Sequence, residues 1–134
     1  MAEPARSPQR DSAESPFSEI LAELAVCARG FRAAVFFDRD GETIDYHSFL
    51  EPFETRLAGA HHGVVVSSAR ARFAWLGLGQ LERLEFCAGW RDSVTVSLGD
   101  EYYLTVLVEA GTLDDELNAA VDEVAARLKQ EAGL

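Results

Sequence analysis

Residues 59–68, Gly59-Ala60-His61-His62-Gly63-Val64-Val65-Val66-Ser67-Ser68, decide the fold. Three consecutive valines suit a buried strand, because β-branched side chains pack well on a pleated surface. The glycines and valines are also poor helix formers. The flanks favour the other reading. No turn chemistry separates the valines from Arg70-Ala71-Arg72-Phe73-Ala74-Trp75-Leu76. Pro52 suits a first helical turn. Phe53, Leu57, Val64 and Trp75 share one helical face, and a second row of small residues, Ala60, Gly63, Ser67, Ala71 and Ala74, also recurs at helical spacing. Propensity is a weak prior that packing overrides. The expectation is one long helix over about residues 51–77, with a strand over residues 64–68 as the alternative.

Upstream, Ser15 and Pro16 open a helix carrying Phe17, Ile20, Leu21, Leu24 and Ala28, and Gly30 suits its C-terminal left-handed position. Residues 31–37 are apolar on both faces, as in a central strand. Asp38-Arg39-Asp40-Gly41 is a turn signal, and residues 42–47 then alternate as a strand near the sheet edge. Downstream, residues 83–88 put Leu84 and Phe86 on one strand face, residues 93–98 alternate, Gly99-Asp100 turns, and residues 102–109 read as central. Thr112, with Asp115 three residues on, caps a last helix with the stripe Leu113, Leu117, Val121, Val124 and Leu128. The order is α-β-β-α-β-β-β-α: an α+β sandwich with a five-stranded, mostly antiparallel sheet and helices on both faces. Residues 1–15 carry no large apolar residue after Met1 and are expected to be a disordered tail. The domain spans residues 16–132.

The chain has 134 residues, the length of one domain with a single core. Its net charge of -11 argues against nucleic acid and anionic membrane surfaces, which need clustered basic groups. No apolar run approaches a membrane span and no secretory leader is evident, so a cytoplasmic protein is expected. Cys27 and Cys87 fall outside any paired-ligand spacing and read as free, mostly buried thiols.

The hairpin "AAVFFDRDGETIDY", the small-residue-rich helix "RLAGAHHGVVVSSARARFAWLGLG" and the closing "DSVTVSLGDEYYLTVLVEAG" plus helix resemble the roadblock/LC7 family, also called dynein light chain 7 or MglB-like. The resemblance covers about residues 17–131 and implies a profilin-like roadblock sandwich. It implies homodimers, or heterodimers with a related roadblock protein, in which the strand at residues 83–88 pairs across a two-fold axis while the long helices pack side by side. It also implies that a small Ras-like GTPase is the partner. A departure from the family is the acidic turn Gly111-Thr112-Leu113-Asp114-Asp115-Glu116.

On this basis the expected dimer interface is Ala60, Gly63, Val64, Ser67, Ala71, Leu84, Glu85 and Phe86. Small residues let a second helix approach closely, and an edge strand is a template for pairing. Arg70, Arg72 and Trp75 are the candidate partner face, since an arginine can stabilise transition-state charge in a GTPase site and tryptophan anchors interfaces. No metal is expected: adjacent His61 and His62 point about 100° apart on a helix and cannot readily share one ion. No nucleophile elbow, phosphate loop or dinucleotide fingerprint is present, so no cofactor and no catalytic residue is assigned. The function expected is a non-enzymatic dimeric regulator or scaffold that binds a small Ras-like GTPase. A structural adaptor without a GTPase partner is the alternative, and a small-molecule sensor is a third reading.

Overall fold

The triple valine is helical. The computed structural model describes residues 7–134 in the order α1 (Pro16–Cys27), β1 (Phe31–Asp38), β2 (Thr43–Ser48), α2 (Pro52–Trp75), β3 (Arg83–Cys87), β4 (Arg91–Leu98), β5 (Tyr102–Glu109) and α3 (Asp115–Ala132). The strands form one antiparallel sheet in the order β2-β1-β5-β4-β3. The central strands β1 and β5 are buried on both faces, which is why both read as continuous apolar runs.

Alternation along the strands assigns the two faces. Ala34 and Phe36 of β1, Val94, Val96 and Leu98 of β4, and Leu104, Val106 and Val108 of β5 join Leu21, Leu24, Val121, Val124 and Leu128 in the main core under α1 and α3. The opposite face carries Val35, Phe37 and Tyr103 against Val66 of α2 and Leu81. This second core is closely filled, with Phe37 and Tyr103 stacked at 5.7 Å.

Local chemistry sets the helix ends. The Ser15 hydroxyl accepts from the Phe17 N–H at 3.1 Å, and the Ser18 hydroxyl accepts from the Ser15 N–H at 2.9 Å. For α3 the cap is Asp114, whose Oδ1 accepts from the Leu117 N–H at 2.8 Å. Thr112, expected in that role, instead donates its hydroxyl to the Glu109 carbonyl at 2.6 Å, which closes the turn after β5. Cys27 and Cys87 are exposed rather than buried. Each is the last residue of its element.

The expected disorder of residues 1–6 lies outside the described residues. Residues 7–15 lie along β2. The Gln9 N–H donates to the Ser48 carbonyl at 2.8 Å, and Arg10 pairs with Asp45 at 2.8 Å. Absence of large apolar residues hid this, because the segment is held by hydrogen bonds and charge rather than by apolar burial.

Candidate assembly interface and partner face

The sheet has two edges, and they differ. On β2 the strap of residues 7–15 lies against the outer side. On β3 no described strand or segment covers it. The Ser97 N–H donates to the Glu82 carbonyl at 3.0 Å. With the register Arg83↔Val96 and Glu85↔Val94, this turns the N–H and C=O groups of Arg83, Glu85 and Cys87 away from β4. Such a row of outward groups is a ready template for another strand.

Side chains on β3 divide between the two faces of the sheet. Arg83 lies toward α3, 3.2 Å from Asp122 Oδ1 and 3.3 Å from Asn118 Oδ1. Leu84 packs on the second core, and Phe86 makes an edge contact with the His62 ring at 6.1 Å. Phe86 remains 37% exposed.

Helix α2 has two apolar sides. Thr55, Gly59, Gly63 and Val66 are buried against the sheet. Phe53, Leu57, Val64, Ala71 and Trp75 fall within about 40° of one another on the opposite side at 100° per residue. They are exposed, with Phe53 at 67%, Val64 at 70% and Trp75 at 84%. Leu76 and Leu78, just past the helix, are exposed too. Exposed large apolar side chains gathered on one helix face mark a candidate interaction surface.

The small residues do different work from that expected. A Cβ at Gly59 would lie 2.9 Å from Val35 Cγ1, and one at Gly63 would lie 3.2 Å from Gly41 Cα. Gly41 has φ +81° and sits against the Ala60 backbone. Gly59, Ala60 and Gly63 therefore seat α2 on its own β1 and β1–β2 turn. Gly63 is buried and Ala60 borders the β1–β2 turn, so both already meet a neighbour within the same chain. Ser67 is exposed on that same flank of the helix. The flank nearer β3 is marked by His62, which reaches Ser93 of β4, and by the helical positions of Val65, Ala69 and Arg72. Leu84, Glu85 and Phe86 lie at the open edge of β3, and Val64 and Ala71 lie on the exposed outer stripe of α2.

Arg70 is likewise committed. Its guanidinium donates to the Asp100 carbonyl at 3.0 Å and to the Tyr103 hydroxyl, and lies 5.7 Å from the Tyr103 ring centre. It ties the end of α2 to the β4–β5 turn. Arg72 and Trp75 are exposed. Trp90, in the β3–β4 turn, is 82% exposed.

Sequence reasoning missed the histidine link. His62 Nδ1 lies 2.8 Å from the Ala58 carbonyl, which can only accept, so this nitrogen carries the proton. In the neutral ring Nε2 then accepts from the Ser93 hydroxyl at 3.0 Å. Burial lowers the His62 pKa, the Ala58 bond opposes the shift, and His61 adds to it. Burial also lowers the pKa of His47 on β2, with Glu14 opposing and Arg10 assisting. The unfolded chain therefore binds protons more readily than the folded one below the ordinary histidine value of 6.5. Stability is fully present above that value and falls as pH drops through it. Melting followed by calorimetry is expected at a lower temperature at pH 5 than at pH 7.5, with His62→Gln reducing the difference.

Among the described residues no group of three His, Cys, Asp or Glu side chains is placed to hold a metal ion, and no helix is long and apolar enough to cross a membrane.

This sheet order, with α2 alone on one face, is the roadblock/LC7 fold. A Roadblock/LC7 domain from Streptomyces avermitilis superposes with a TM-score of 0.80 at 15% identity, covering 87% of this chain and 98% of that one. Myxococcus xanthus MglB gives 0.77 at 13%, covering 89% and 98%. A structure described as MglB with tetrameric arrangement gives 0.75 at 16%, covering 90% and 95%. No family model matches the sequence, and no curated protein matches it.

Proposed function

We propose that the chain is a non-enzymatic dimeric regulator or scaffold that binds a small Ras-like GTPase and modulates its GTP hydrolysis. The observation that carries this reading is the exposed apolar stripe of α2 beside the open edge of β3, on a roadblock/LC7 fold. Neither feature is needed to fold one chain. An open edge and an adjoining apolar surface together suit an isologous two-fold pairing, the commonest soluble assembly. A solved neighbour described with a tetrameric arrangement supports self-association as a habit of this fold. The GTPase partner rests on the roadblock resemblance.

In the assembly β3 of two copies pairs edge to edge. Glu85 and Phe86 lie at the junction, and Val65, Ala69 and Arg72 on the β3 flank of α2 face the other helix. Phe53, Leu57, Val64 and Trp75 remain for the GTPase. Arg70 is tethered, so regulation proceeds by repositioning the GTPase's own catalytic groups. Arg72 is the nearest untethered cation on the helix.

The test mixes the purified chain with Ras-like GTPases of the same genome, loaded with GDP or a GTP analogue. Gel filtration with light scattering reads complex formation, and phosphate release reads turnover. A complex or altered turnover supports the reading; neither at micromolar concentrations overturns it and leaves the adaptor role. Trp75→Ala is expected to change stability by less than about 0.5 kcal/mol, as for an exposed surface position. It is expected to weaken the complex by about 2 kcal/mol or more, as for a truncated interface anchor.

A further inference from the structure

The outer side of β2 is closed by the chain itself. The Tyr46 carbonyl takes the Arg10 guanidinium, and the Tyr46 N–H donates to Asp45 Oδ1 at 2.8 Å. The Ser48 carbonyl takes the Gln9 N–H at 2.8 Å, and Gln9 Nε2 donates to the Phe49 carbonyl at 3.0 Å. The outward carbonyls of Tyr46 and Ser48 are thus satisfied by residues 9 and 10 rather than by a neighbouring strand.

A clamp of charged groups holds the strap. Arg10 sits between Asp45 at 2.8 Å and the Tyr46 ring, 4.6 Å from its centre, and the paired side chains are only 11% and 8% exposed. Asp11 accepts from the Tyr46 hydroxyl at 2.8 Å and from Arg56 at 2.9 Å, which holds its carboxyl well below the usual carboxylate range. Arg56 covers the other side of the clamp, 5.3 Å from the centre of the same ring. Nothing large and apolar anchors the segment, so it is held by hydrogen bonds and charge, and the charged share of its hold is weakened by salt.

We propose that the outer edge of β2 is a second strand-addition edge, kept closed by residues 9–11, and that displacing this strap lets two copies pair through β2. The chemistry of the uncovered edge fits a second copy. An antiparallel two-fold pair centred on Tyr46 sets Ile44 against Ser48 and Asp45 against His47, so no like charges face one another. The strap directs assembly to β3 by occupying β2.

The test compares the full chain with a chain lacking residues 1–13, which keeps the Ser15 cap of α1. Light scattering across a range of micromolar concentrations is expected to give the shortened chain a larger mass than the full chain, increasing with concentration. A synthetic peptide of residues 7–14 is expected to return the mass toward that of the full chain. Full-length Arg10→Ala/Asp11→Ala is expected to move the same way, and decides the matter if the shortened chain does not fold. A folded variant whose mass equals that of the full chain at every concentration overturns the proposal. The comparison does not depend on pairing through β3. Glu85→Pro in the shortened chain leaves β2 as the only open edge and is expected to give dimers rather than larger species.

Discussion

Glu85→Pro is expected to convert the chain to a monomer without unfolding it. The Glu85 N–H points away from β4, so a proline ring there costs the chain no internal ladder bond. Across the proposed two-fold the same change removes a donor from each copy and places a ring where the other backbone approaches. Two lost hydrogen bonds at about 1 kcal/mol each, with the steric penalty added, come to about 2 to 4 kcal/mol of association, roughly 30- to 700-fold in dissociation constant. Light scattering reads the mass, and circular dichroism should show an unchanged spectrum. A full-mass dimer of the proline variant would exclude pairing through β3.

Gly59→Val is expected to cause the largest loss of stability among the single changes considered. Its Cβ would stand 2.9 Å from Cγ1 of Val35, a fully buried side chain. Valine brings two further methyls into a filled contact. Overpacking of this kind costs about 2 to 3 kcal/mol, against which valine regains a few tenths of a kcal/mol of helix propensity over glycine. For a domain of this length the melting temperature should fall by about 8 to 12 °C. Val35→Ala in the same chain should restore part of the loss, because the two side chains compete for one space. Gly63→Ala should cost less: its nearest neighbours would be Gly41 Cα at 3.2 Å and Phe37 Cε2 at 3.4 Å. If Gly59→Val melts with the parent chain, α2 does not depend on this close approach.

The element order was legible from the sequence because its signals are local. Ser15-Pro16, Asp38-Arg39-Asp40-Gly41 and Gly99-Asp100 mark boundaries by chemistry that acts within a few residues. The valines of α2 were harder. They oppose helix by propensity, and the lack of a turn before Arg70, with Pro52 at the start and the helical spacing of the flanks, decided the matter. Which neighbour a small residue admits was not legible. Gly63 at helical spacing looks the same whether it meets another helix or a turn of its own chain, and only the path of β1 and β2 beneath it distinguishes the two. Arg70 shows the same limit: its partners, Asp100 and Tyr103, lie some thirty residues away in sequence. The strap was hidden for a different reason. Arg10 and Asp11 look like solvated charges until the Tyr46 ring they enclose is in place.

Helix α2 divides its duties by face. The sheet-facing residues are fixed by contacts with Val35, Phe37 and Gly41 that admit little change in volume. Phe53, Leu57, Val64 and Trp75 touch no such constraint. On the proposed reading of that stripe as the partner face, substitutions along it are expected to alter partner choice while leaving the melting temperature nearly unchanged. Recognition and folding would then rest on separate faces of one helix.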